Sequence, residues 1–334
     1  MSKKYLLGAG IGVFVVLLLA VFSVWFARLK AGENVLGHYV FQNTQDNIQQ
    51  LRHIRMITPK TGEINIFAKD GVWYFKEAAD YFVNTGQLSD FYYMVNNAIF
   101  TTVSKADKAE YEKNLLLAAD TDEGDEQFQG TVVETYDAEE KLLDRVIIGS
   151  GINGGENRYA RIEKYPYVYT ISSVRGFSGE ASAWIPFPLL EIPAGVISRI
   201  TLGKTVLSME ALEIYLPRSL NLQKLIGTLA FLEYEGIAYQ KELEKDFPEL
   251  VPHHLEIETK VGLIYAFDIY KMDEESYFLS VKLKSTRIPK KEVPSFIKEN
   301  QKYFAGWVFS LNQNQGRILY EIQAKDLFDS FKFY

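Results

Sequence analysis

HLEIETKVGLIYAFDIYKMDEESYFLSVKLKS, residues 254–285, alternates apolar and polar side chains over most of its length. A period of two puts one face of a strand against a core and the other toward water. The stretch therefore reads as an antiparallel meander with its tip at Met272–Glu275. Upstream, ISRITLGKTVLSME (197–210) supplies opening strands, and LNLQKLIGTLAFL (220–232) has a helical face of Leu222, Leu225, Ile226, Leu229 and Phe231. Downstream, AGWVFSLNQNQGRILYEIQAKDLFDSF (305–331) reads as a hairpin turning at Asn312–Gly316, followed by a short C-terminal helix.

The first half repeats this order. INIFAKDGVWYFKE (64–77) gives strands Ile64–Ala68 and Val72–Lys76 around a Lys-Asp-Gly turn in which Gly71 can take positive φ. In VNTGQLSDFYYMVNNAIFTTV (83–103), Leu88, Phe91, Tyr92, Val95 and Ile99 recur at helical spacing, so an amphipathic helix is expected. TVVETYDAEEKLLDRVIIG (131–149) forms a hairpin with Asp137–Lys141 at its tip, and YARIEKYPYVYTISS (159–173) a second one turning near Lys164–Pro166. A repeated strand–strand–helix–meander order is a duplication signal.

Residues 5–27, YLLGAGIGVFVVLLLAVFSVWFA, contain no charge over 23 positions. As a helix they would span roughly 34 Å, enough for a bilayer core of about 30 Å. A cleaved signal peptide has a shorter apolar core of about 7–15 residues and a small-x-small end, whereas Val24, Trp25 and Phe26 precede Ala27 here. The expected fold class is thus α+β, one N-terminal transmembrane helix followed by two similar antiparallel sheet-plus-helix units. The expected segments are a cytoplasmic N-terminus (1–4), the helix (5–27), a juxtamembrane part (28–60), a first unit (61–176), a linker (177–195) and a second unit (196–334). Within the juxtamembrane part, Ile48, Leu51, Ile54 and Ile57 fit either a short helix or an extended approach. Lys3 and Lys4 ahead of the run favour an N-in orientation, which places the protein in the inner membrane with its body in the periplasm or outside the cell. Gly8 and Gly12 form GxxxG, which would allow self-association or contact with a partner helix.

The chain holds 36 basic and 43 acidic residues. Removing Lys3, Lys4, Arg28 and Lys30 leaves 32 basic against 43 acidic residues, or −11, for the rest. Such an acidic body argues against nucleic acid. With no cysteine, disulfides, thiolate metal sites and cysteine nucleophiles are all excluded. Aromatic residues make up 14% of the chain, and runs such as DFYYM and YPYVY suggest exposed edges suited to protein or glycan contact, although strand propensity explains most of them.

The remaining chemistry is sparse. AADTDEGDEQ places Asp120, Asp122 and Asp125 in a compact acidic loop of the kind that hard cations use. It does not fit an EF-hand, whose sixth and twelfth positions would fall on Asp125 and Thr131. In PHHLEIE, His254 and Glu256 share a strand face and His253 does not join them, which is too few ligands for zinc. GSGINGGENR (149–158) lacks the Lys-Ser/Thr ending of a phosphate loop, and Arg158 opens a strand after it. No catalytic residue, cofactor or metal is assigned.

The N-terminal anchor, the tryptophan hairpin DGVWYF (70–75) and Ala79-Asp80 before a helix together resemble the DUF4340 domain family. YVYTISS leading to ISRITL, and the closing GWVFSL…ILYEI…DLF, are similar to its middle and end. The resemblance spans roughly residues 60–330; Glu77-Ala78 stand where that family has a proline before the Ala-Asp pair. It implies a bacterial envelope protein working beside ABC-type permeases or related export assemblies, with no catalytic set to carry over. The expected function is that of a non-enzymatic accessory or scaffolding subunit with a membrane-protein partner. The rival is an extracytoplasmic enzyme or binding protein acting on a cell-wall or surface polymer, and a third option is a subunit that assembles through a strand edge at Lys325–Tyr334.

Overall fold

In a computed structural model of the chain, the described residues are Val21, Ser23, Ala27, 30–59, 61–121 and 124–323. They divide into two compact units, one within Met1–Lys76 and Val83–Trp184, the other within Glu77–Phe82 and Ile185–Tyr334. The architecture is α+β with two antiparallel sheets.

In the first unit, helix α1 (Gln42–Asp46) leads to β1 (His53–Thr58), so the stretch read as helical or extended is both in turn. β1 pairs with β2 (Gly62–Lys69), which turns through Asp70 and Gly71, both at positive φ, into β3 (Val72–Phe75). Two central residues of positive φ make the turn that matches strand twist. Helix α2 (Thr85–Asn97) is started by Asn84, whose side chain accepts from the Gly86 and Gln87 amides, and it buries Phe91, Met94 and Val95. It stops before Ala98, and Phe100–Lys105 forms β4 rather than continuing the helix. The β-branched residues Thr101, Thr102 and Val103 favour that strand.

Helix α3 (Lys108–Lys113) precedes the meander β5 (Gln129–Tyr136), β6 (Leu142–Gly151), β7 (Arg158–Arg161) and β8 (Tyr167–Ile171). Along the sheet the order is β3-β2-β1-β5-β6-β7-β8-β4.

The second unit opens with β9 (Ile197–Leu202), β10 (Thr205–Ser208), α4 (Met209–Tyr215) and α5 (Leu220–Ala230). Ser219 caps α5 by accepting from the Leu222 amide, and Leu222, Leu225, Ile226 and Leu229 are buried. Phe231 falls past the helix end and is exposed. Then come β11 (Gly236–Tyr239), α6 (Gln240–Asp246), β12 (His253–Thr259), β13 (Leu263–Lys271), β14 (Tyr277–Ser285), α7 (Val293–Asn300), β15 (Trp307–Leu311) and α8 (Gln313–Glu321). The sheet order is β10-β9-β12-β13-β14-β15-β11.

With β3 set aside, the two orders are the same. The first hairpin strand (β1, β9) pairs with the first meander strand (β5, β12), and the strand after the helix (β4, β11) closes on the last meander strand (β8, β15).

Ala79 and Asp80, the pair singled out in the sequence, both lie at positive φ and are held within the second unit. The Ala79 carbonyl accepts from Trp307 Nε1 at 3.3 Å, and the Asp80 carboxylate accepts from the Tyr239 hydroxyl at 2.9 Å. Tyr81 stands edge-on to Trp307 and Phe309, at centroid distances of 5.2 and 5.7 Å, and its hydroxyl donates to the Tyr303 carbonyl at 2.8 Å. These contacts hold the left-handed residues in place.

Two further sequence expectations are corrected. The anchor stretch 5–27 lies outside the described residues apart from Val21, Ser23 and Ala27, and among the described residues no helix is long and apolar enough to cross a membrane. Even α2, with 13 residues, rises only about 20 Å and has polar positions throughout. Among the described residues the fold class is therefore α+β with two antiparallel sheets and no membrane-spanning helix. The expected hairpin turn at Asn312–Gly316 is instead the start of α8, with Asn312 accepting from the Gln315 amide. Gly316 serves close packing rather than a turn, since a Cβ there would lie 2.6 Å from Tyr277 Cδ2. The possible strand edge at Lys325–Tyr334 lies outside the described residues.

Gly149 on β6 tests the packing of the first unit. A Cβ there would lie 2.8 Å from the Leu115 carbonyl oxygen, a backbone atom with little room to yield. Gly149→Ala should destabilise the chain by about 2 kcal/mol in chemical denaturation. Gly155→Ala, whose new Cβ finds its nearest neighbour at 3.6 Å, should stay within about 0.5 kcal/mol.

Candidate functional site

Alternation on the first sheet places residues 53, 55 and 57 of β1 on one face, with 63, 65 and 67 of β2, 132, 134 and 136 of β5, and 145 and 147 of β6. Register then assembles rows. Asn65 lies opposite Arg55, Arg55 opposite Glu134, and Glu134 opposite Arg145, a polar row across four strands. Beside it, His53 stacks between Phe67 at 4.0 Å and Tyr136 at 5.0 Å. On the other side, Ile57, Val132 and Ile147 enter an apolar cluster with Leu116, Ala118 and Val168.

Glu134 is the centre of the polar row, with its side chain only 6% exposed. Arg55 Nη1 donates to its Oε2 at 2.9 Å, the Tyr136 hydroxyl donates to the same oxygen at 2.6 Å, and Arg145 Nη1 donates to Oε1. The other donors of Arg145 engage Asp120 through Nη2 at 2.9 Å and Glu163 through Nε at 2.5 Å. Arg55 Nε donates to Glu63 at 2.9 Å, and Asn65 Nδ2 donates to the same carboxylate at 2.8 Å. His53 bridges to Asn65 through Nε2 at 3.0 Å and to Glu140 through Nδ1 at 3.1 Å.

The electrostatics follow from these bonds. The Arg55 hydrogen bond, with help from Asn65, pulls Glu63 down to about 2. Burial alone would raise Glu134, but hydrogen bonds from Tyr136, Arg145 and Arg55 outweigh it and hold its pKa below the ordinary range. Arg145 likewise depresses Asp120. Burial and then Glu134 push the Tyr136 phenol up to about 12. At neutral pH these carboxylates are ionised and already bonded. A general acid for glycosidic cleavage needs a pKa shifted the opposite way.

The sequence-predicted residues fall in different places. Gly8, Gly12 and Asp122 lie outside the described residues. Asp120 binds Arg145 through both oxygens instead of facing the acidic loop, and Asp125 opens a single 3₁₀ turn, Glu126–Phe128. Among the described residues no group of three or more acidic or histidine side chains is placed to hold a metal.

His254 and Glu256 share a face as expected, but each is bonded across strands, His254 to Asp268 at 2.5 Å and Glu256 to Lys284 at 2.8 Å. His253 turns the other way beside Tyr320, where burial pushes its pKa down. The Arg55–Glu134–Arg145 row itself was not foreseen. Its signal was half present, because the expected hairpin with its tip at 137–141 already sets Glu134 near Arg145. The missing part was that residues 53–58 form the adjacent strand.

Each depressed carboxylate supports the fold above its unfolded pKa and stops doing so as pH falls toward its folded one. The carboxylates should therefore make stability fall between about pH 5 and pH 2, with His253 starting the loss below about pH 6.5 and the raised Tyr136 phenol adding a separate loss above about pH 10. Arg145→Met should lose roughly 3 kcal/mol at pH 7 by leaving Glu134 short of a partner. It should also fall less steeply in acid, because Asp120 and Glu134 lose the group that depresses them; an unchanged acid slope would contradict this reading. No family model matches the chain, and no curated protein or solved structure matches it.

Proposed function

We propose that this chain is a non-enzymatic accessory or scaffolding subunit of an envelope membrane complex, of the kind built around an ABC-type permease. The observation that carries the reading is the row centred on Glu134. There the densest set of ionisable side chains described above is tied into arginine pairs that join β1, β2, β5 and β6. Carboxylates held ionised and saturated suit a rigid platform better than proton transfer.

The proposed location rests on the chain's own chemistry. The uncharged stretch 5–27 would hold the protein at the cytoplasmic membrane, with an acidic body in the periplasm or outside the cell. The resemblance to DUF4340 proteins supplies the class of partner, and GxxxG at Gly8 and Gly12 supplies a contact for it.

Gentle affinity purification of the full-length chain from its native membrane should bring down a stoichiometric integral membrane protein. Gly8→Leu with Gly12→Leu should lose that protein while leaving the circular dichroism of the body unchanged. A monodisperse chain with nothing attached would overturn the proposal.

A further inference from the structure

Arg158 begins β7 and lies directly opposite Gly151 on β6 and Ile171 on β8. The glycine leaves space beside it, for a Cβ at Gly151 would meet nothing within 4 Å. The Arg158 side chain lines a cavity of about 360 Å³ within the first unit, with Thr58, Thr131, Ser150, Ser178 and Glu180 among the other walls.

Arg158 differs from the other half-buried arginines of this sheet. Arg55 and Arg145 are each held by two or more carboxylates. Among the described residues the Arg158 side chain makes no hydrogen bond, ion pair or ring contact, and burial alone acts on it, pushing its pKa down. A desolvated guanidinium without an acceptor is unfavourable, and its fork of N–H donors matches the two oxygens of an oxyanion.

We propose that the cavity beside Arg158 binds the oxyanion head, phosphate or carboxylate, of a small polar ligand. The hydroxyls of Thr131, Ser150 and Ser178 on the walls suit a hydroxyl-bearing body behind that head. The site is independent of the accessory role proposed above, and its test does not involve a membrane partner.

The test is thermal unfolding of the full-length chain in non-ionic detergent, with inorganic phosphate, glucuronate or chloride at matched ionic strength. Phosphate or glucuronate should raise the melting temperature above the chloride control, and the larger rise assigns the head as phosphate or carboxylate. Arg158→Gln should weaken the apparent affinity by at least about tenfold. Without added anion that variant should melt at or above wild type, because it removes an unpaired half-buried charge. A lower melting temperature for Arg158→Gln in chloride would show that Arg158 has a structural partner, and would overturn the proposal. So would no rise with either oxyanion, or an equal rise in the variant. Thr131→Val, which keeps the shape of the wall, should reduce the rise without lowering the chloride melting temperature.

Discussion

A single buried carboxylate governs the first sheet. Glu134 sits on β5 with its side chain 6% exposed, and an isolated charge there would be strongly unfavourable. It is tolerated because β1 brings Arg55 to one side and β6 brings Arg145 to the other, each in direct register. A slip of one residue would turn Glu134 toward the face of Ile54, Met56, Val133 and Val146 and strand both guanidiniums. The ion pairs thus fix register more than they add net stability, and the apolar alternation of the same strands supplies the burial.

The same strand order in both units gives this arrangement a counterpart. In the second unit Arg199 on β9 faces Glu258 on β12 and pairs with it at 3.1 Å, the position that Arg55 and Glu134 hold on β1 and β5. There the row stops, because Ile264 stands on β13 where β6 carries Arg145. The Arg199 side chain is 53% exposed, so its pair contributes little. One pair of positions repeated in two units supports duplication more strongly than element order does. The additional arginine in the first unit is what turns an exposed cross-strand pair into a buried network.

Much of this fold was legible in the sequence because it is local. Gly71, the capped face of α2 and the tips at 137–141 and 272–275 each depend on neighbouring residues. Two expectations fail for one cause: a residue with two physical uses serves the less common one. Gly316 suggested a turn but admits Tyr277, and Ile99 extended a helical spacing although the chain is already extended at Ala98. The network around Glu134 needed a pairing between β1 and β5, which lie far apart in sequence, and local periodicity cannot give that. In the sequence Arg158 marks only the start of a strand. Its isolation among the described residues emerges only from the strands paired on either side of it.

The most direct measurement is the titration of the Glu134 carboxyl carbon by NMR, assigned by comparison with Glu134→Gln. A value below that of an ordinary glutamate is predicted, rising when Arg145 is replaced by Met. A carboxyl that stays protonated toward neutral pH would contradict the account, for it would be a proton donor at the centre of the sheet rather than a clamped anion.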